Sequence, residues 1–388
     1  MLLKEELNIA LIHDWFSGKF TGGAEKVFKE IEDLVIENNL NYEIFCLVNH
    51  LKKNNNFNKG KIINTSLIQN LPFSAKHFHK YLPLFPLAIE QFDLRDYDLV
   101  ISSSHAVAKG VITSPDQLHI SYIHSPMRYA WDQMNTYLNN SSYGKLGINL
   151  LLRIILHNLR EWDYLSSVRI DKIVCNSNFT AKRIKKYWGR ESKVIHPPVD
   201  TNRFDPKKSR DNYYLSVSRL VPNKRIDLLV KAFNQLNLPL IIIGNGPEKK
   251  ELMKIAKKNI KFLGYQSDQN IKTYMEECRA FVYAGVEDFG IAPVEAMAAG
   301  APIISLAKAG ILDTVQCINS NSKCPTGILY KKQSQSDLKD CVSYFEDKKL
   351  WLKFSSEDIN LWTHNFSIQN FKKKFSNFID ISLSDFKK

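Results

Sequence analysis

Cysteine is scarce and scattered. Cys46, Cys175, Cys278, Cys317, Cys324 and Cys341 are the six in 388 residues, and they lack the paired spacing of zinc ligands. The expectation is reduced, mostly structural thiols and no structural metal. No apolar run reaches the ~20 residues of a membrane span, and the first residues lack the basic-then-apolar pattern of a secretory signal, so a cytoplasmic protein is expected. RNA-recognition, zinc-finger and P-loop signatures are also missing, which argues against a nucleic-acid partner. Neither an internal repeat nor a low-complexity array is present beyond a short Asn/Lys run at 52–58.

What is there is an ordinary globular composition, 44% hydrophobic and 24% charged, in a chain long enough for two domains. Lys and Arg number 53 against 40 Asp and Glu, a formal charge of +13. Such an excess suits nucleic acid, an anionic membrane face or acidic substrates, and the sign alone does not choose. Part of it lies in runs such as 182–186 and 372–374, which read as solvated helix faces.

The order of elements is more specific. Residues 8–13 form a short apolar strand, and the glycine loop 21–25 opens a helix. Buried strands are expected at 43–47, 99–102, 120–123 and 172–175; their lack of strict alternation suits a parallel sheet covered on both faces. A Pro-rich polar connector follows at 196–206. A second alternating series has strands at 213–217, 240–243, 260–263, 281–284 and 302–305. This predicts two α/β, doubly wound units, each binding ligands at the carboxyl ends of its strands. The expected domains are 1–198 and 199–365, with a helix from about 366 to 388 packing back on the first.

Chemistry concentrates in the second series. Glu287 and Glu295 bracket Glu287-Asp-Phe-Gly-Ile-Ala-Pro-Val-Glu295, with a buried strand before it and Pro293 in the first turn of a helix. A helix N-terminus offers unpaired N–H groups and partial positive charge to a diphosphate, while two carboxylates suit sugar hydroxyls. Arg219 and Lys224, in Ser216-Val-Ser-Arg219-Leu-Val-Pro-Asn-Lys224-Arg225, are cations within reach of such a diphosphate. The combination points to a nucleotide-sugar.

With Gly22-Gly23-Ala24-Glu25, Gly244-Asn-Gly-Pro247, Lys261-Phe-Leu-Gly264 and Thr326-Gly327, these motifs resemble the family-4 retaining glycosyltransferases across nearly the whole chain. Tyr122-Ile-His124-Ser125-Pro126-Met127-Arg128-Tyr129-Ala130-Trp131-Asp132 and Leu159-Arg160-Glu-Trp162-Asp163 look most like bacterial mannosyltransferases of O-antigen and capsule synthesis. The resemblance implies the GT-B fold, two facing Rossmann-like domains with an interdomain cleft. It also implies a GDP-mannose donor, retention of configuration, and no essential metal or cofactor. Carried over by position, Arg219 and Lys224 hold the diphosphate, Glu295 the ribose and Glu287 the donor-sugar hydroxyls. The backbone of Phe289, Gly290 and Ile291 lines sugar and phosphate, Gly22 and Gly23 admit the donor phosphate, and Gly244 joins the nucleotide-sugar contacts. His124 corresponds to the active-site histidine near the transferred sugar. Asn176 and Ser177 either line the cleft or cap the next helix.

The loop after Ser305 departs from the family: Ala309 and Asp313 stand where many relatives have glycine and glutamate. Residues 317–324 read as a surface loop. Apolar and basic residues mix over 67–87, either to lie on an anionic membrane beside a glycolipid acceptor or to pack inside the domain. A UDP-sugar donor, a non-hydrolysing nucleotide-sugar epimerase and a non-enzymatic basic protein binding nucleic acid or anionic glycan are the competing readings.

Overall fold

The computed structural model of the protein describes residues 7–16, 18, 22–51, 63–135, 138, 148–320 and 322–388. Thr21 and the run at 52–58 lie outside them. The chain divides into two compact units, residues 1–196 with 371–388, and residues 197–370.

In the first unit, β1 (Asn8–His13), β2 (Asn41–Cys46), β3 (Ile63–Thr65), β4 (Leu99–Ser104), β5 (Leu118–Ile123), β6 (Lys172–Cys175) and β7 (Lys193–Val194) form one sheet, ordered β3-β2-β1-β4-β5-β6-β7. All its ladders are parallel. Alternate residues of β1 enter separate cores: Ile9 and Leu11 pack with Val27, Phe28 and Phe375, while Ala10 and Ile12 join the cluster of Phe85 and Leu159. Burial on both faces is why these strands are continuously apolar.

In the second unit, β8 (Tyr214–Val217), β9 (Leu240–Ile243), β10 (Ile260–Gly264), β11 (Ala280–Tyr283), β12 (Ile303–Leu306) and β13 (Gly327–Tyr330) form a parallel sheet ordered β10-β9-β8-β11-β12-β13. Strand order reverses beside β1 and β4 in one unit and beside β8 and β11 in the other. Ligands of doubly wound sheets bind at such points, outside the strand carboxyl ends.

The last helix, Ile368–Phe386, buries Phe371, Phe375, Ile379 and Leu383 in the first unit's core, with the Phe371 and Phe375 rings 6.0 and 6.2 Å from Tyr122. The lysine-rich runs are solvated at Lys182, Lys185, Lys186, Lys373 and Lys374, and two positions depart from that expectation. Arg183 is 5% exposed and donates to Asp132 and, at 2.9 Å, to Ser125 Oγ, while Lys372 pairs with Glu37 and Glu30. Segment 67–87 is divided: Ile68, Phe78 and Phe85 are buried, whereas Phe73 is 82% exposed and Leu84 and Leu87 are also exposed. Among the described residues, no helix is long and apolar enough to cross a membrane. The six cysteines are free thiols, with Cys317 half-buried and Cys324 exposed.

Candidate active site

In the second unit the chain leaves β11, turns through 284–290 and enters the helix Ile291–Ala298. Gly290 makes the turn at φ +94°, a left-handed conformation costly for other residues, and no side chain caps the helix start. Its first N–H groups therefore point out of the strand ends. Pro293 falls in the first turn, where a missing N–H is harmless. Glu287 lies in this turn. Its Oε1 is paired with Lys224 Nζ and accepts the Tyr283 hydroxyl. Sequence reasoning misses Tyr283, which reads as one more strand residue. Phe289 turns its ring into the core, 5.7 Å from Phe366, so only its backbone faces the turn.

Lys224 ends the short 3₁₀ turn Pro222–Lys224 on the loop after β8. Arg219, on the same loop, is exposed and has no ion pair among the described residues. That loop is seated by glycines. A Cβ on Gly244, at φ +135°, would stand 1.9 Å from the Ser218 carbonyl oxygen, and Leu220 N–H donates to the Asn245 carbonyl at 3.0 Å. Gly244 thus shapes the loop that carries Arg219 and Lys224. The loop after β12, where the sequence departs from the family, braces the turn in the same way, with Gly310 N–H donating to the Glu287 carbonyl at 3.0 Å. Glu295 lies one turn into the helix and meets Arg203 at 3.2 Å. Arg203 was not foreseen, since it sits in the presumed connector.

In the first unit, His124 follows β5 and is 9% exposed. Its Nε2 is 2.8 Å from Ser103 Oγ, and its carbonyl accepts Asn176 Nδ2–H at 2.8 Å. Burial, with His105 and His13 nearby, holds its pKa well below the ordinary value, so the ring is neutral at pH 7. Ser177 caps the helix Asn178–Trp188, accepting Thr180 N–H at 3.1 Å. Gly22 caps the helix Gly23–Glu37 in an extended conformation, and a Cβ there would stand 2.6 Å from Glu25 Oε2. The nearest side-chain atom to this glycine is therefore an oxygen of its own helix's glutamate.

The strongest polar feature of this unit was not anticipated. Asp14, fully buried after β1, accepts backbone N–H groups from His105, Ala106, Val107 and Ala108 at 2.6, 3.0, 2.6 and 2.7 Å. Its Oδ2 also lies 2.9 Å from His105 Nδ1. Burial raises the Asp14 pKa, but His105 and these donors outweigh it and hold the carboxyl below its usual range. Burial lowers and Asp14 raises the pKa of His105, with a net increase. His105 is thus shifted toward the charged imidazole, and His124, 6.4 Å away between ring centroids, toward the neutral one. The available signal was a polar residue directly after each of two apolar strands.

The long motifs behind the resemblance are largely structural. Lys109 is buried, 3.1 Å from Asp163 Oδ1, with its ammonium 4.8 and 5.1 Å from the rings of Trp162 and Trp188. Asp163 Oδ2 accepts the indole N–H groups of Trp131 and Trp188 at 2.8 and 2.7 Å. This network ties the helix Ile148–Val168 to the loop after His124.

Residues 21–203 match the model of Glycosyltransferase Family 4, and residues 199–357 that of Glycosyl transferases group 1. An uncharacterized glycosyltransferase of Methanocaldococcus jannaschii is 26% identical over 62% of this chain and 68% of its own length. A Corynebacterium glutamicum enzyme named GDP-mannose-dependent monoacylated alpha-(1-6)-phosphatidylinositol monomannoside mannosyltransferase is 29% identical over 38% of this chain and 47% of its own. The O-antigen chain mannosyltransferase RfbU of Salmonella typhimurium is 30% identical over 36% and 43%. These two mannosyltransferases are thus matched over a little under half their length. Among solved structures, sucrose-phosphate synthase of Thermosynechococcus elongatus superposes with a TM-score of 0.72 at 14% identity, covering 98% of this chain and 100% of that one. Anabaena HepE in complex with UDP and glucose gives 0.65 at 17%, covering 96% and 99%. The chain is therefore similar, in order, to the Glycosyltransferase Family 4 model and to the Glycosyl transferases group 1 model, and its fold is GT-B.

Proposed function

We propose that the protein is a retaining glycosyltransferase that moves mannose from GDP-mannose to a lipid-linked or polysaccharide acceptor in cell-surface glycan synthesis. The observation that carries this reading is the meeting of Lys224 and Glu287 at the uncapped start of the helix Ile291–Ala298. A cation and helix N–H groups answer a diphosphate, and a carboxylate beside them answers sugar hydroxyls. The mannose assignment rests on relatives whose names specify GDP-mannose or an O-antigen chain.

In the proposed reaction the acceptor hydroxyl attacks the anomeric carbon from the face that GDP leaves, and a β-phosphate oxygen takes its proton. No side-chain nucleophile takes part. Lys224, Arg219 and the helix N-terminus stabilise the departing diphosphate, so no metal or cofactor is required. Glu287 holds donor-sugar hydroxyls, Glu295 the ribose, and the backbone of Phe289, Gly290 and Ile291 lines sugar and phosphate. His124 serves the transferred sugar, and Gly22 and Gly23 the phosphate. Exposed Phe73, Leu84 and Leu87, beside Lys76 and Lys80, give segment 67–87 a surface for an anionic membrane. Flotation with anionic liposomes checks this: salt-sensitive binding is expected, and its absence removes the membrane contact.

A UDP-sugar is the second reading, favoured by the UDP complexes of HepE. Calorimetry with GDP-mannose, GDP, UDP-glucose and UDP-N-acetylglucosamine decides between the two. Selective binding of the GDP compounds is expected, and a UDP preference overturns the mannose assignment.

A further inference from the structure

Tyr283 closes β11 and is 1% exposed, so its hydroxyl is desolvated and requires a partner. That partner is Glu287 Oε1, the same oxygen that holds Lys224. The ammonium of Lys224 also stands 6.0 Å from the Tyr283 ring centroid. One buried phenol therefore touches both side chains assigned above to the donor.

The surroundings make this contact specific. Glu287 sits in an irregular turn, and its carboxylate is tethered to Lys224 only by a long, flexible stem. Gly310 fixes the backbone of Glu287 from one side. Tyr283 fixes its side chain from the other. The gap between them is kept by Gly285, where a Cβ would lie 2.8 Å from the Tyr283 hydroxyl and 3.1 Å from Lys224 Cα. With Oε1 occupied twice, Oε2 accepts no hydrogen bond among the described residues.

We propose that Tyr283 is a positioning residue for the donor sugar: it clamps Glu287 Oε1 against Lys224 so that Oε2 is presented to sugar hydroxyls. This rests on the reading of Glu287 as a sugar-binding group. Lys224 is also anchored on its own loop, its backbone N–H donating to the Val221 carbonyl at 3.0 Å, so losing the phenol is expected to act mainly on the sugar moiety of the donor.

The test is calorimetry of GDP-mannose, GDP, UDP-glucose and UDP on wild type, Tyr283→Phe, Glu287→Gln and the double variant, each first shown to melt cooperatively. Tyr283→Phe keeps the ring and deletes only the hydroxyl. It should weaken the bound nucleotide-sugar about tenfold, as loss of a hydrogen bond to a charged group does, and leave the free nucleotide within about twofold. In the Glu287→Gln background it should have no further effect. An unchanged nucleotide-sugar affinity, an equal loss for sugar and free nucleotide, or independent effects of the two substitutions would each overturn the proposal. A wild type that binds none of the four compounds sinks the transferase reading instead, and this assignment with it.

Discussion

Asp14 and His105, at the ends of the adjacent strands β1 and β4, are joined by a 2.9 Å contact from Oδ2 to Nδ1. The same carboxylate accepts four consecutive backbone N–H groups. Replacing one of its oxygens by an amide turns a donor toward donors. Asp14→Asn should therefore cost about 3–5 kcal/mol, the range for breaking a buried charged network. His105→Gln, which leaves the backbone contacts intact, should cost about 1–2 kcal/mol. Urea denaturation of the two variants checks this, and equal losses would contradict it.

Acid should weaken the fold well before the carboxylates titrate. Burial, despite Asp14, holds the His13 pKa at about 4, and burial with Arg169 and Lys109 nearby holds His119 at about 3. In the unfolded chain both rings take up a proton near pH 6.5. Their contribution is thus complete above pH 6.5 and is lost as pH falls toward 4 and 3. His105, raised by Asp14, works oppositely: its share is complete below pH 6.5 and is lost as pH rises through its folded value. A melting temperature that falls from pH 6.5 to pH 4, with a shallower slope in His119→Gln, is the expected result.

Lys109 and Asp163 should behave as a coupled pair. Asp163→Asn leaves a buried ammonium without its counter-charge and should cost about 3–5 kcal/mol. Lys109→Met strands the carboxylate in turn. The double variant should lose less than the singles added together, and strict additivity in a double-mutant cycle would show that the contact carries no coupling.

Ala309 adopts φ +62°, a left-handed conformation for a residue with a Cβ. Ala309→Gly should stabilise the protein by about 1 kcal/mol, less the extra freedom glycine gives the unfolded chain. Gly310→Ala should do the reverse. Its Cβ would stand 2.4 Å from the Asp288 carbonyl oxygen and from Phe289 Cα, and backbone cannot swing aside. A thermal melt in parallel with a donor-binding isotherm separates loss of fold from loss of the turn.

Lys224→Ala should lower turnover at saturating donor by at least about a hundredfold, comparable to loss of one preorganised electrostatic donor. Near-normal turnover would remove Lys224 from the proposed chemistry.

The sequence was most legible where burial is continuous. β6 and β9 fall on the expected residues because both are apolar runs bounded by polar turns. β3 and β7 escaped notice because a three-residue and a two-residue strand carry no periodicity. The turn from Glu287 to Ile291 could be read because glycine, proline and acidic residues each have a positional meaning there. Tyr283 and Arg203 could not, and Asp14 and His105 only as polar residues that follow apolar strands. Their roles depend on partners brought together by strand order, and a tyrosine at a strand end looks the same whether it fills a core or holds a carboxylate. One position in the charge runs misleads for a related reason: composition counts Arg183 among surface cations, yet packing places it beneath Asp132 and Ser125.

The helix Ile368–Phe386 supplies core residues to a sheet that begins some 360 positions earlier in the chain. During translation, β1 and β5 leave the ribosome long before Phe371 and Phe375 exist. Until those residues emerge, Tyr122 and its neighbours lack two of their aromatic contacts and present an apolar groove. The amino-terminal half must therefore wait, partly assembled and prone to self-association, while the other half is made and can fold first.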